Sequence, residues 1–186
     1  MLHLYTDGAV SKNGQTNSCG GFSVVVLDDD NNLIDLFQGQ QAPATNNQME
    51  LLAILTAFEM LYKKYSNKTA TIYSDSAYCV NSLTSWIYTW EKNNWLNSKK
   101  EPVKNLDLIL SIYKYYNINS FINQIKIKKV DGHSNIIGNE LADALAAKNK
   151  NKFCKIITEN HINLSKLNEH NFFEKPLPIE NFYCKN

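Results

Sequence analysis

The stretch from Asn47 to Lys64 constrains this chain most. It carries Met49, Leu51, Leu52, Ala53, Ile54, Leu55, Phe58, Met60 and Leu61, so apolar residues run almost all the way round a helical wheel. A helix that is apolar on nearly every side must be enclosed by other elements. The pattern predicts a central, well-buried helix, and its neighbours in the sequence can supply the enclosure. Met1 to Thr6, Phe22 to Leu27 and Leu33 to Gln38 are β-prone, and residues 8–20 and 28–32 between them read as turns. Three such segments in a row predict an antiparallel meander. After the helix come a strand over 69–73, a helical stretch over 76–91, and a polar, Lys-rich segment over 92–103 that contains Trp95. A helix over 104–115, a strand over 124–130 and a helix over 138–148 follow. That order predicts an α/β fold, a mixed sheet with helices on its faces.

A chain of 186 residues fits one domain with some residues to spare. Regularity fades near its end, so the expected division is a domain over 1–148 and an extension over 149–186. The 44% hydrophobic content is enough to build a core. A net charge of +1 gives no whole-chain support for nucleic-acid binding, which local clusters must supply. Lys126, Lys128 and Lys129 form one such cluster, and Lys99, Lys100 and Lys104 another; a solvated face is the ordinary reading of each. Cys19, Cys79, Cys154 and Cys184 form no CxxC pair, which argues against a zinc site. The start, MLHLYTDG, lacks the basic and apolar runs of a signal peptide, and no apolar stretch is long enough to span a membrane. The expectation is an intracellular protein, cytoplasmic or nucleoid/nuclear, with reduced thiols.

Four acidic residues stand out. Asp7 in LYTDGA and Asp75 in IYSDSA each follow a predicted strand. If the two strands are central and parallel, their C-terminal ends lie side by side, where open α/β sheets form ligand sites. Two carboxylates sharing that space need a cation, and hard oxygen ligands suit Mg²⁺ or Mn²⁺. Each acid also has an ordinary reading. Asp7-Gly8 could form a turn and Asp75 could cap the next helix. Glu50 lies at capping-box spacing from Asn47. Asp143, beside Glu140 in NELADALAA, could sit on a solvated helix face.

The order of the segments favours the functional reading. YTDGA, TNNQMELLA, YSDSAY and GHSNIIGNELADALA follow one another, and WIYTWEKNNWLNSKKEPVKNLD lies between the last two. On these motifs, over roughly residues 1–148, the chain resembles the type 1 ribonuclease H family. The resemblance implies a ribonuclease H-like fold, a five-stranded mixed sheet with three antiparallel strands and then parallel ones, flanked by helices and carrying a helical handle. It implies endonucleolytic cleavage of the RNA strand of an RNA–DNA hybrid, leaving 3′-hydroxyl and 5′-phosphate ends. Asp7, Glu50, Asp75 and Asp143 would hold two Mg²⁺ ions, with Asp7 bridging both and Mn²⁺ as a substitute. His133, in the GHSN loop, would move a proton or assist product release, chemistry that imidazole performs near neutral pH.

The resemblance also implies a substrate surface. Asn46 and Asn47 would pair with RNA 2′-hydroxyls across the minor groove. Thr45 and Asn105 would contribute to a pocket for a DNA phosphate. Trp86 and Trp90 would line the DNA channel at the handle, with core packing as the alternative for each. Several residues depart from the family pattern. The turn from Ser11 to Cys19 is longer than in the common bacterial form and lacks its Pro. Glu91, Asn93 and Asn94 make the handle less basic, Pro43 replaces an Arg of the phosphate pocket, and Ala77 replaces an amide. Fewer phosphate contacts predict weaker hybrid affinity with intact chemistry.

Residues 149–186 contain Phe172, Phe173, Leu177, Ile179, Phe182 and Tyr183, too apolar for a plain solvated tail. They are expected to dock on the domain or bind a protein partner. Lys166 and Glu169 occupy the positions that a sliding-clamp peptide fills with Gln and an aliphatic residue, which rejects that motif. Three alternatives to a hybrid ribonuclease remain: a strand-transfer or junction nuclease, a non-catalytic hybrid-binding module, and a domain cut from a reverse transcriptase. The GHSN loop and handle, the four intact acids, and the Met just before the first strand argue against them in turn. The expectation is a free-standing monomer.

Overall fold

The computed structural model describes residues 1–11, 13, 15 and 18–147. The predicted extension over 149–186, and its docking or partner-binding role, lies outside the described residues. Strands β1 (Leu2–Ser11), β2 (Cys19–Leu27) and β3 (Leu33–Gln41) form the antiparallel meander. Helix α1 (Asn46–Lys64) then crosses over to β4 (Ala70–Ser74), parallel to β1, and β5 (Ile125–Lys129) lies parallel to β4. The sheet order is β3-β2-β1-β4-β5. Helices α2 (Ala77–Asn81), α3 (Ile87–Lys92), α4 (Leu106–Tyr116), α5 (Asn119–Ile122) and α6 (Ile137–Ala146) complete the chain in order.

Strand alternation divides the core. Leu2 and Leu4 of β1, Val24 and Val26 of β2 and Ile72 of β4 pack with Leu51, Ile54, Phe58 and Leu61 of α1. On the opposite face Tyr5, Val25 and Leu27 meet Leu141, Ala142 and Leu145 of α6. Successive side chains of a strand point to opposite faces, so β2 has to be apolar at almost every position. The predicted burial of the 47–64 helix is met, because its far side is closed by Ile109 and Ile112 of α4 and Phe121 of α5.

Four local expectations change. β1 does not stop near Asp7: Gly8 to Ser11 continue to pair with Phe22 to Cys19, so part of the predicted turn is strand. The capping box of α1 is Thr45 with Gln48, two residues before Asn47 with Glu50, so the Glu50 carboxylate takes no part in the cap. The helical stretch over 76–91 contains a π-helical segment, Ser82–Trp86, in its middle. The short helix α5 has no counterpart among the sequence expectations.

Candidate active site

β1 loses its parallel neighbour just below the site. The β1–β4 pairing ends at Thr6 opposite Ser74, so Asp7 and Asp75 are the first residues past the paired region. Both follow the register that turns Tyr5 and Tyr73 toward one face, where the two rings stack 4.8 Å apart. Glu50 enters from the second turn of α1 because Gly8 lets that helix come very close. A β-carbon on Gly8 would meet the Met49 backbone at 2.5 Å. α6 supplies Asp143. The buried hydroxyl of Ser23 donates to the Ala142 carbonyl at 2.7 Å, tying α6 to β2 immediately before that residue.

Asp7, Glu50 and Asp75 form the tight group: one carboxylate oxygen from each lies within 4.8 Å of the others. Asp7 and Glu50 are buried and Asp75 half-buried. Burial pushes the Asp7 carboxyl up to about 7, the charges of Asp75 and Asp143 push the same way, and the Gly8 N–H and His133 oppose them. Glu50 is raised well above the carboxylate range by burial first and then by Asp7 and Asp75. Asp75 is raised by burial and Asp143, against His133 and Lys129. Three acids raised in this way, with the Asp143 charge acting on all of them, cannot all ionise cheaply without added positive charge.

The donor set fits a hard divalent cation. Its oxygens are mutually close, and Glu50 Oε2 is buried with no hydrogen-bond partner. An unpartnered buried carboxylate oxygen is costly unless a cation meets it. Asp143 lies outside the tight trio but adds its charge to all three members.

The GHSN loop covers Asp75. A β-carbon on Gly132 would lie 2.8 Å from Asp75 Oδ2, so only glycine fits this crossing without a shift. His133 follows it, exposed and in the left-handed region at φ 51°.

The remaining expected substrate residues lie on two surfaces. Thr45, Asn46 and Asn47 are exposed at the start of α1. The Thr45 hydroxyl donates to Gln48 Oε1 at 3.1 Å and accepts from the Gln48 N–H at 3.4 Å, so donation to a phosphate would compete with the cap. On the handle, Trp86 is 40% exposed and its ring lies 5.7 Å from that of Trp90. Trp90 packs against the main core. Asn105 precedes α4 at φ 56° and makes no side-chain cap, and the Tyr78 hydroxyl donates to the carbonyl of the adjacent Lys104 at 3.3 Å. Tyr78, edge-on to Trp86 at 6.3 Å, joins this surface although the sequence did not single it out. Its available signal was an aromatic on the same helical stretch as Trp86 and Trp90.

Among the described residues no helix is long and apolar enough to cross a membrane. The ribonuclease H family profile matches residues 1–151. The chain is 36% identical over 144 residues to ribonuclease H of Caldicellulosiruptor saccharolyticus, covering 77% of this chain and 91% of that one. It is 38% identical over 154 residues to ribonuclease H of Rickettsia felis, covering 83% and 93% respectively. The fold resembles the solution structure of the PFV ribonuclease H domain, with TM-score 0.66 and 23% identity over 78% of this chain and 91% of that one. The profile match and these identities, over a sheet and acidic site of this form, make the chain a member of the ribonuclease H family.

Proposed function

We propose that this protein hydrolyses the RNA strand of RNA–DNA hybrids, with Asp7, Glu50, Asp75 and Asp143 as ligands for two Mg²⁺ ions. The observation that carries this reading is the crowded acid group, with carboxyls raised by burial and by one another and a buried Glu50 oxygen left without a partner. Bound there, the ions would supply activation of the attacking water and stabilisation of the leaving 3′-oxygen. Asp7, Glu50 and Asp75 would form the core of that ligand set, and Asp143 would add its carboxylate to it. Attack by that water would displace the 3′-oxygen directly, with no covalent intermediate, and leave 3′-hydroxyl and 5′-phosphate ends.

The other side chains bind and orient. Asn46 and Asn47 present exposed amides beside the Glu50 helix for the RNA 2′-hydroxyls. Trp86, with Tyr78 and Asn105, offers a stacking face and a polar edge for the DNA strand. His133 stands over the Asp75 side of the site, where a side chain that gains and loses a proton can assist departure of the product. Mn²⁺ replaces Mg²⁺ at the same oxygens, and the chain acts as a monomer.

The test is cleavage of end-labelled RNA–DNA hybrid, duplex RNA and duplex DNA in Mg²⁺, Mn²⁺ or chelator, with the product ends identified. Metal-dependent cutting of the RNA strand of the hybrid alone is expected. Equal cutting of duplex DNA would sink the reading.

A further inference from the structure

The β1–β2 connection returns to the sheet through Ser18, which is 2% exposed. Its hydroxyl donates to the Ala44 carbonyl at 2.8 Å and accepts from the Ala44 N–H at 2.9 Å. One side chain thus holds both polar groups of one backbone residue, and neither can shift without losing a bond. Ala44 is itself buried and directly precedes Thr45, Asn46 and Asn47. The outgoing side of the same connection also reaches this segment. Asn13 Oδ1 accepts from the Asn46 N–H at 3.2 Å. That amide belongs to the first turn of α1 and has no partner within the helix. Gly20 completes the contact, since a β-carbon there would lie 2.4 Å from Met49 Cγ and 3.0 Å from Ala44 Cβ.

Neither neighbouring element needs the Ser18 bonds. The β1–β2 ladder closes at Ser11 opposite Cys19 without them, and Thr45 and Gln48 cap α1 by themselves. What the two bonds add is a fixed position for the chain just before Asn46 and Asn47. We propose that Ser18 is a positioning residue for the nucleic-acid substrate. Its hydroxyl fixes Ala44, and through it the two exposed amides, at the distance from Glu50 at which they meet the RNA strand. The proposal rests on the ribonuclease H reading above. Small displacements of a substrate-positioning group cost binding steeply.

Steady-state cleavage of labelled RNA–DNA hybrid by the full chain, Ser18→Ala and Asn13→Ala tests it, at a temperature where melting curves show each protein folded. Ser18→Ala is expected to raise KM about 5- to 10-fold with kcat within about twofold of wild type. Asn13→Ala, at an exposed position, raises KM by a smaller factor. In the double variant KM rises by less than the product of the two single-variant factors, because both act on one segment. An unchanged KM in Ser18→Ala overturns the proposal, and so does a fall in kcat with KM intact, the mark of a disturbed acid cluster. Should Ser18→Ala not fold, Asn13→Ala decides alone: a raised KM supports the proposal and an unchanged KM overturns it. Wild-type protein that cuts no hybrid refutes the ribonuclease reading itself, whereas active wild type with an unchanged variant KM refutes only the role of Ser18.

Discussion

A β-carbon on Gly8 would lie 2.3 Å from the backbone nitrogen of Glu50. Strand β1 and helix α1 therefore touch backbone to backbone, and this contact brings Glu50 beside Asp7. Backbone cannot yield as a flexible side chain does. Gly8→Ala is expected to destabilise the fold by about 2 kcal/mol through overpacking. It should also lower kcat on hybrid by roughly 100-fold, as expected when a catalytic group is displaced by about 1 Å. Thermal melts and cleavage rates check both, and wild-type values in either would show that the helix has room to move.

The acid cluster sets a pH dependence for the metal-free protein. The folded state keeps the Asp7 proton up to about 7, whereas the ordinary value is 3.8. Between those values the folded state holds more protons than the unfolded one, so this contribution to stability falls as pH rises through the window. Glu50 and Asp75, also raised, act with the same sign. Wild type should therefore lose stability relative to Asp7→Asn between about pH 4 and 7, the window that these two values bound. Mg²⁺ should raise the wild-type Tm more at pH 8 than at pH 5. Melting curves of both proteins with chelator and with Mg²⁺ measure this, and parallel pH profiles would contradict it.

The two tryptophans differ in exposure, and we propose that they divide the roles between which the sequence left them. Trp86 is 40% exposed, while Trp90 packs on the core. Trp86→Ala should raise KM for hybrid several-fold, in line with about 1–3 kcal/mol for a base stacked on an aromatic, and leave Tm nearly unchanged. Trp90→Ala should lower stability by about 2–4 kcal/mol, somewhat less than a fully buried ring. Denaturant unfolding and steady-state kinetics on both variants separate the roles, and the reverse pattern would exchange them.

Much of this was legible in the sequence, for identifiable reasons. The meander, the central helix and the acids were readable because β-branched runs, an all-round apolar helix and short motifs are local signals. The true end of β1 was not, because Gly8 to Ser11 are strand only by pairing with Phe22 to Cys19, a choice made across the hairpin. Glu50 looked like a cap because Asn47 stands three residues before it. Thr45 and Gln48 have the same spacing, and which pair forms the cap is decided by where the helix starts, at Asn46. Gly132 over Asp75 was invisible for the same reason, since a close backbone approach leaves no periodicity.

Lys100 offers a test of the handle. It stands in the left-handed region at φ 62°, where a β-carbon is unfavourable. Lys100→Gly should stabilise the protein by about 0.5–1 kcal/mol, the relief of strain exceeding the added freedom of the unfolded chain. The urea midpoint should rise with an unchanged slope; a lower midpoint would mean that the lysine side chain holds the turn.

Metal binding at the site requires Asp7 to join the other acids around the ions. Calorimetric titration of Mg²⁺ and single-turnover cleavage of RNA–DNA hybrid, on wild type and Asp7→Asn, test this most directly. The expected result is Mg²⁺ binding and cleavage by wild type, with loss of the binding heat in Asp7→Asn and a rate at least about 1,000-fold lower, as for removal of a group that stabilises developing charge. Cleavage by Asp7→Asn near the wild-type rate, or by wild type in excess chelator, would contradict it.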